Sequence, residues 1–329
     1  MATEPSSPRT PSRTGLPVLA EPIINAPMAG AAGGALAAAV SRAGGLGMVG
    51  IGGEATPQWI HEQAVLAAAP DLPWGAGLMA WVLESSLDPV RVLLDHSPAL
   101  ICVSFGDPGP AAELARAAGV ATAMQVGNAA ELRRALEDDI DVVVCRGGEG
   151  GGHGRNEAAT LPLLQWAFDA TDKPVVAAGG IATARGVAAV LAAGAAAAWV
   201  GTRFAACSEA LGKPQVKEAI SSARLDGTVY TRAFDIAQGI PWPREYGGRA
   251  LRNDFSGRWA GHEAALEAAV AADPGIRDGI QSARAAGDAS QAPVYAGEGA
   301  GLGGPGSAAE LVAELAGFRG HLARAAHAW

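Results

Sequence analysis

One histidine of this chain stands where proton chemistry could be done. His153 lies inside Cys145-Arg146-Gly147-Gly148-Glu149-Gly150-Gly151-Gly152-His153-Gly154-Arg155, a stretch with six glycines in eleven residues. Imidazole is the side chain best matched to proton transfer near neutral pH. So many glycines cost folding entropy, which implies close approach of backbone to a ligand or, alternatively, a mobile lid. His153 could also do no more than hydrogen-bond its own loop. Its place after a short apolar run ending at Cys145 favours the proton-transfer role.

Two further segments could hold a phosphate. Pro174–Ala178 (PVVAA) runs into Gly179-Gly180-Ile181, and Ala197–Val200 (AAWV) runs into Gly201-Thr202-Arg203-Phe204. Alanine-rich, helix-like sequence from Thr183 to Ala193 separates them. Glycine lets the main chain approach a phosphate, its N–H groups can donate, and the Thr202 hydroxyl adds another donor. Two successive strand-glycine-helix units match the last two strands of a (β/α)8 barrel, whose loops commonly bind phosphate.

The elements needed to position these groups are legible along the chain. Strand-like runs occur at Pro22–Ala26, Gly47–Val49, Trp74–Met79, Ala99–Val103, Val120–Gln125, Asp141–Cys145, Pro174–Ala178 and Ala197–Val200. Helical stretches alternate with them, among them Leu36–Arg42, Pro57–Ala68, Pro110–Ala118 and Ala129–Glu137, with Thr56 placed to cap the helix that Pro57 begins. Eight βα units between residues 22 and 205 predict an α/β fold, a closed (β/α)8 TIM barrel of parallel strands. Residues 1–15 read as a disordered leader, 16–210 as the barrel, 211–300 as a smaller, mostly helical region covering the active-site end. Residues 301–329 complete the chain; within them Ser307–His327 reads as one helix docking on the barrel through Leu311, Leu315, Phe318 and Leu322.

Composition narrows the function classes. The chain has 329 residues, 49% hydrophobic and 17% charged, with 45 glycines. That profile suits parallel strands buried on both faces. A net charge of −9 argues against nucleic acid or an anionic membrane as partner, and no apolar stretch is long enough to span a bilayer. Cys102, Cys145 and Cys207 lack metal-ligand spacing and make a poor disulfide framework, so reduced thiols and a cytoplasmic location are expected. No metal cluster and no Ser-His-Asp arrangement stands out. Gly30–Gly47 lacks the context of a dinucleotide-binding turn. His61, His96, His321 and His327 read as surface residues, whereas His262, beside Trp259, could face the site. Trp81, Tyr230, Trp242, Phe255 and Trp259 are expected to shape a partly aromatic pocket.

Five segments in order resemble the nitronate monooxygenase family of FMN-dependent barrels. They are Pro22-Ile23-Ile24-Asn25-Ala26-Pro27-Met28-Ala29-Gly30 with its continuation to Gly47, then Glu149–Gly154, Ala177–Ile181, Val200–Phe204 and Tyr295–Leu302. The resemblance implies FMN, with its phosphate at Ala178, Gly179, Gly180, Gly201 and Thr202. It implies the flavin ring beside Ala26, Pro27 and Met28, with Gly77, Gln125, Arg146, Gly147 and Gly151 around it. His153 would be the base. The activity implied is oxidation of a nitroalkane or nitronate by O2 to a carbonyl compound and nitrite, by a monomer or homodimer.

Two positions depart from that family's pattern. Arg146 and Trp199 stand where glutamine is usual. Arg146 could stabilise an anionic reduced flavin or an anionic substrate, or form a salt bridge to Glu149 or Asp141. A flavin-dependent enoyl-thioester reductase using NADH or NADPH is the rival enzyme, with a flavin oxidase or dehydrogenase for another acidic C–H substrate as a third. A barrel that has lost its chemistry is the rival of another class.

Overall fold

A computed structural model describes residues 15–328, so all of the expected leader except Gly15 lies outside the described residues. The first nine strands are β1 (Ile23–Asn25), β2 (Gly47–Gly50), β3 (Trp74–Met79), β4 (Leu100–Ser104), β5 (Ala121–Val126), β6 (Val142–Arg146), β7 (Gly152–Gly154), β8 (Val175–Ala178) and β9 (Ala197–Val200). All but β7 form one parallel sheet in the order β1-β9-β8-β6-β5-β4-β3-β2. These are the eight expected strands, each within a residue or two of its anticipated bounds.

The sheet closes on itself where β1 meets β2. Ile24 bridges to Leu46, and Asn25 then takes over with its side chain. Its Nδ2 donates to the Met48 carbonyl at 2.8 Å and its Oδ1 accepts from the Met48 N–H at 2.8 Å. A fully buried amide thus imitates one peptide unit of a ladder, leaving neither Met48 group unpaired.

Alternation along each strand builds two layers of core. Ile24, Met48, Cys102, Val144, Val176 and Trp199 belong to one buried cluster made by the strands themselves. Ile23, Val143, Cys145 and Ala177 belong to another, shared with helical residues such as Leu36, Leu163 and Val187. The helices begin where side-chain oxygens can meet their free N–H groups: Thr56 accepts from Trp59, Asn128 from Glu131 and Thr183 from Gly186.

Beyond the barrel come β10 (Thr228–Thr231) and β11 (Gly247–Leu251), with helices Ala233–Gln238, Asp254–Trp259, Glu263–Ala272 and Gly275–Ala286. The sequence led us to expect helices here. It did not anticipate the antiparallel sheet β10-β11-β7, whose third strand comes from the glycine-rich loop after β6. Register places Gly248 opposite His153. The loop is therefore a strand of the covering layer rather than a free lid. The C-terminal segment forms two helices, Ala308–Leu315 and Phe318–Ala328, where one was expected. The break falls at Ala316-Gly317, and glycine is a poor helix former. Leu311, Leu315 and Phe318 still reach the barrel's outer core, and Leu322 packs against it.

Candidate active site

The carboxyl ends of β6, β8 and β9 carry the groups singled out in the sequence. His153 sits on β7, with its side chain 10% exposed. Its Nε2 lies 2.9 Å from Oδ1 of Asp235, a residue on helix Ala233–Gln238 that is 2% exposed. The Tyr295 hydroxyl donates to that same Oδ1 at 3.2 Å. Burial, reinforced by the adjacent Asp235, pushes the Tyr295 hydroxyl well above its ordinary value, so it stays a donor. The Trp242 ring stacks on the imidazole, with centroids 3.7 Å apart. Trp242 also meets Trp81 and Phe105, each at 5.2 Å, which gives the site an aromatic wall. The indole N–H of Trp81 is buried without a partner among the described residues.

Arg146 makes neither of the salt bridges considered for it. Its guanidinium is 5% exposed and donates to the carbonyls of Gly150, Gly151, Gly152 and Arg155, the first at 2.6 Å. Burial lowers its pKa to about 10, which leaves it a cation at neutral pH. A Cβ at Gly150 or Gly154 would fall 2.9 Å and 2.3 Å from guanidinium atoms. Part of the glycine content therefore makes room for Arg146. Glu149 instead accepts from the Thr160 N–H and hydroxyl at the start of helix Thr160–Ala170, and Asp141 holds Thr122. Arg249, which the sequence did not single out, braces the loop from the covering layer. It donates to the Gly148 carbonyl at 2.8 Å and pairs with Glu298 at 3.2 Å.

The two glycine turns fit an anion. Gly179 (φ +103°) and Gly180 (φ +69°) follow β8 in conformations that side chains rarely adopt. The N–H groups of Gly180, Gly201 and Thr202 have no protein acceptor among the described residues. Thr202 Oγ1 accepts from the Gly297 N–H at 2.9 Å, which leaves its own proton to donate elsewhere. The segment after Tyr295 packs directly on the loop carrying His153, since the Glu298 N–H donates to the Glu149 carbonyl at 2.9 Å.

Other anticipated contacts divide. Ala26 and Met28 lie against Gly201, where a Cβ would stand 3.5 Å from Ala26 Cβ and 3.6 Å from Met28 Sδ. Gly77 makes room for the Pro27 ring, and Gly147 for Glu149 and Thr160. Gly151 lets the backbone of Ala296 and Gly297 approach. The Gln125 side-chain amide has no partner among the described residues, whereas its N–H donates to Ser104. Trp199 points into the barrel core, with its ring nitrogen unpaired among the described residues. Of the expected pocket aromatics, Trp242 stacks on His153 and Trp81 packs against Trp242. Phe255 and Trp259 join the separate cluster around Phe234. Tyr230 is structural: its hydroxyl donates to the Gly154 carbonyl and accepts the Gly247 N–H. His262 is exposed, and His61 and His96 pair with each other at the surface. Asp235 was invisible because it lies 82 residues from His153.

A cleft of about 790 Å³ also opens at the opposite, amino end of the barrel, walled by residues such as Leu16, Asp139 and Lys173. Its lysine is already tied to Asp139 and the Ile140 carbonyl. Barrel chemistry sits at the carboxyl end, where the histidine and the free N–H groups converge. Among the described residues no group of three metal-ligating side chains occurs, and no helix is long and apolar enough to cross a membrane.

Fold and rim together define a TIM-like α/β barrel whose carboxyl end carries a histidine paired with a buried carboxylate and glycine turns with unpaired N–H groups. Residues 82–317 match the family model described as nitronate monooxygenase. The chain belongs to the nitronate monooxygenase family. It is 35% identical to the nitronate monooxygenase npaC of Metarhizium robertsii over 273 residues, covering 74% of this chain and 75% of that protein. It is also 34% identical to (3aS,4S,5R,7aS)-5-hydroxy-7a-methyl-1-oxo-octahydro-1H-indene-4-carboxyl-CoA dehydrogenase of Rhodococcus jostii, over 67% of this chain and 61% of that one. Among solved structures it resembles FabK from Thermotoga maritima (TM-score 0.80, 27% identity, 94% of this chain and 96% of that one). Nitroalkane oxidase from Streptomyces ansochromogenes is similar too (TM-score 0.78, 28% identity, 94% and 98%).

Proposed function

We propose that this protein is an FMN-dependent enzyme that oxidises nitroalkanes or nitronates with O2 to a carbonyl compound and nitrite. The observation that carries this reading is the seating of His153, paired to Asp235, on the same rim as the free N–H groups of the Gly180 and Gly201-Thr202 turns.

Gly179, Gly180, Gly201 and Thr202 would hold the FMN phosphate, and the backbone at Ala26-Pro27-Met28 and the Gln125 amide would face the ring. When bound, FMN supplies the electron acceptor and the route to O2. The protein's part is positional. His153 removes the α-proton of a neutral nitroalkane or hydrogen-bonds the nitronate. Trp81, Phe105 and Trp242 exclude water and favour a compact apolar substituent. Arg146 fixes the loop beneath His153 through four carbonyls.

The likeness to a CoA dehydrogenase and to FabK supports a second reading, an NAD(P)H-dependent enoyl-thioester reductase. Anaerobic reduction of the yellow protein separates the two. Bleaching by an alkyl nitronate, with nitrite released on admitting air, is expected here. Bleaching by NADH with indifference to nitronate would transfer the assignment to the reductase.

A further inference from the structure

The imidazole of His153 offers two nitrogens, and the surroundings distinguish them. Nε2 faces Asp235 Oδ1 at 2.9 Å, inside a pocket where the carboxylate side chain is 3% exposed. That oxygen already accepts the Tyr295 hydroxyl proton. A carboxylate offers only acceptor positions, so the neutral imidazole beside it must carry its proton on Nε2. Gly248 closes the same edge of the ring: a Cβ there would stand 3.3 Å from Nε2 and 3.5 Å from Cε1. Trp242 covers one ring face. Nδ1, by contrast, has no hydrogen-bond partner among the described residues.

We propose that Asp235 is a positioning residue that locks His153 as the Nε2–H tautomer, making Nδ1 the atom that accepts the substrate proton, with Tyr295 holding the carboxylate in place. The inference rests on the reading of His153 as base. In the step assigned to it, the α C–H bond breaks and a new N–H bond forms at Nδ1. The electron pair stays on the substrate as the nitronate. The Nε2–H···Oδ1 bond persists throughout, so the imidazolium forms beside a buried carboxylate with no rearrangement of the protein. Asp235 touches no substrate. It acts through His153, and the second carboxylate oxygen, buried without a partner among the described residues, shows how little else occupies it.

The test is long-range ¹H–¹⁵N spectroscopy of the full-length protein carrying ¹⁵N-histidine, with His153→Gln identifying the His153 signals. The expected result is a protonated Nε2 and an unprotonated Nδ1 in the neutral form. Asp235→Ala should populate the other tautomer. It should lower kcat for a neutral nitroalkane by about 10²-fold, within the usual range for general-base catalysis, while KM changes little. Asp235→Asn brings an amide NH2 that can donate to Nε2, since its other position is buried without a partner, and should likewise populate the Nδ1–H tautomer. A wild-type spectrum with the proton on Nδ1 overturns the proposal whatever the variants do. So does an Asp235→Ala protein with native near-ultraviolet circular dichroism whose tautomer and kcat are unchanged. A locked Nε2–H tautomer in a protein with no nitronate turnover would instead uphold the tautomer lock and retire the monooxygenase assignment and the substrate-proton step.

Discussion

Trp242 lies flat on His153, the two ring planes within 6° of parallel and their centroids 3.7 Å apart. The tryptophan belongs to the segment between helix Ala233–Gln238 and β11, while the histidine belongs to β7, so the stack pins the covering layer to the glycine-rich loop. Trp242→Ala should open the imidazole to water and lower kcat for a neutral nitroalkane by about fivefold, given about 1 kcal/mol for such a ring pair. Trp242→Phe keeps a ring there and should retain most of the activity. Steady-state kinetics of the two variants decide whether the stack or only the bulk matters.

His153 itself is tested by choice of substrate. His153→Ala should reduce turnover of a neutral nitroalkane by about 10²- to 10⁴-fold, the range typical of a positioned general base. Turnover of a preformed nitronate, which needs no proton removed, should fall much less. Equal loss with both substrates would withdraw the base assignment.

Arg146 poses a question of loop integrity rather than of charge at the reacting atoms. Arg146→Ala leaves four carbonyls short of a donor, and buried groups so deprived cost about 1–3 kcal/mol each before any relaxation. The expected outcome is a clear fall in Tm together with easier loss of flavin, read as free-flavin fluorescence. Arg146→Gln, restoring the amide usual in the family, should recover only part of both. An Arg146→Ala protein with native Tm and native flavin retention would show that the loop is held by other contacts.

The glycine turn after β8 predicts a binding defect in addition to a folding cost. A Cβ at Gly180 would meet Glu149 Cβ at 3.3 Å, with φ at +69°. Gly180→Ala should cost about 1–2 kcal/mol for the left-handed backbone. Apoprotein titrated with FMN should show weaker binding for this variant and for Thr202→Ala. Unchanged affinity in both would move the phosphate elsewhere.

The three cysteines give a pH prediction. Burial raises Cys102 to about 11 and Cys145 and Cys207 to about 12, against an ordinary value near 9. Below about pH 8 the thiols are protonated in folded and unfolded chains alike, and these groups add no pH dependence. Between about pH 9 and 11 the unfolded chain loses protons that the folded chain keeps, so their contribution to stability falls as pH rises. Urea titrations of the wild type and of a Cys102→Ala variant should diverge in this window, the wild type losing more. At pH 8 an aromatic disulfide reagent should label the native protein slowly and the unfolded one at once.

The barrel was legible because its signals are local. Short apolar runs ending in glycine, alternating with alanine-rich segments, specify parallel strands and crossovers with no knowledge of what touches what. The Thr56 cap, the glycine turn at Gly179-Gly180 and the histidine in its glycine loop could be read the same way. The motif at Tyr295–Leu302 could be seen as a segment, although not that its Glu298 N–H bonds the loop of His153.

Tertiary structure alone decided what those residues do to one another. Asp235 reaches His153 across 82 residues, and no spacing rule connects a helix of the covering layer to a loop of the barrel. Arg146 read as a cation for a ligand or for Glu149 or Asp141; folding desolvated it and turned it onto the carbonyls of its own loop, the nearest acceptors once water was gone. Phe255 and Trp259 looked like pocket residues because aromatic side chains favour both pockets and cores, and only packing assigns them to one. The sequence by itself determined the framework and the residue types at its rim, because backbone conformation and burial pattern are written in local composition. Which nitrogen faces the substrate, and which carboxylate stands behind it, came from contacts between distant segments.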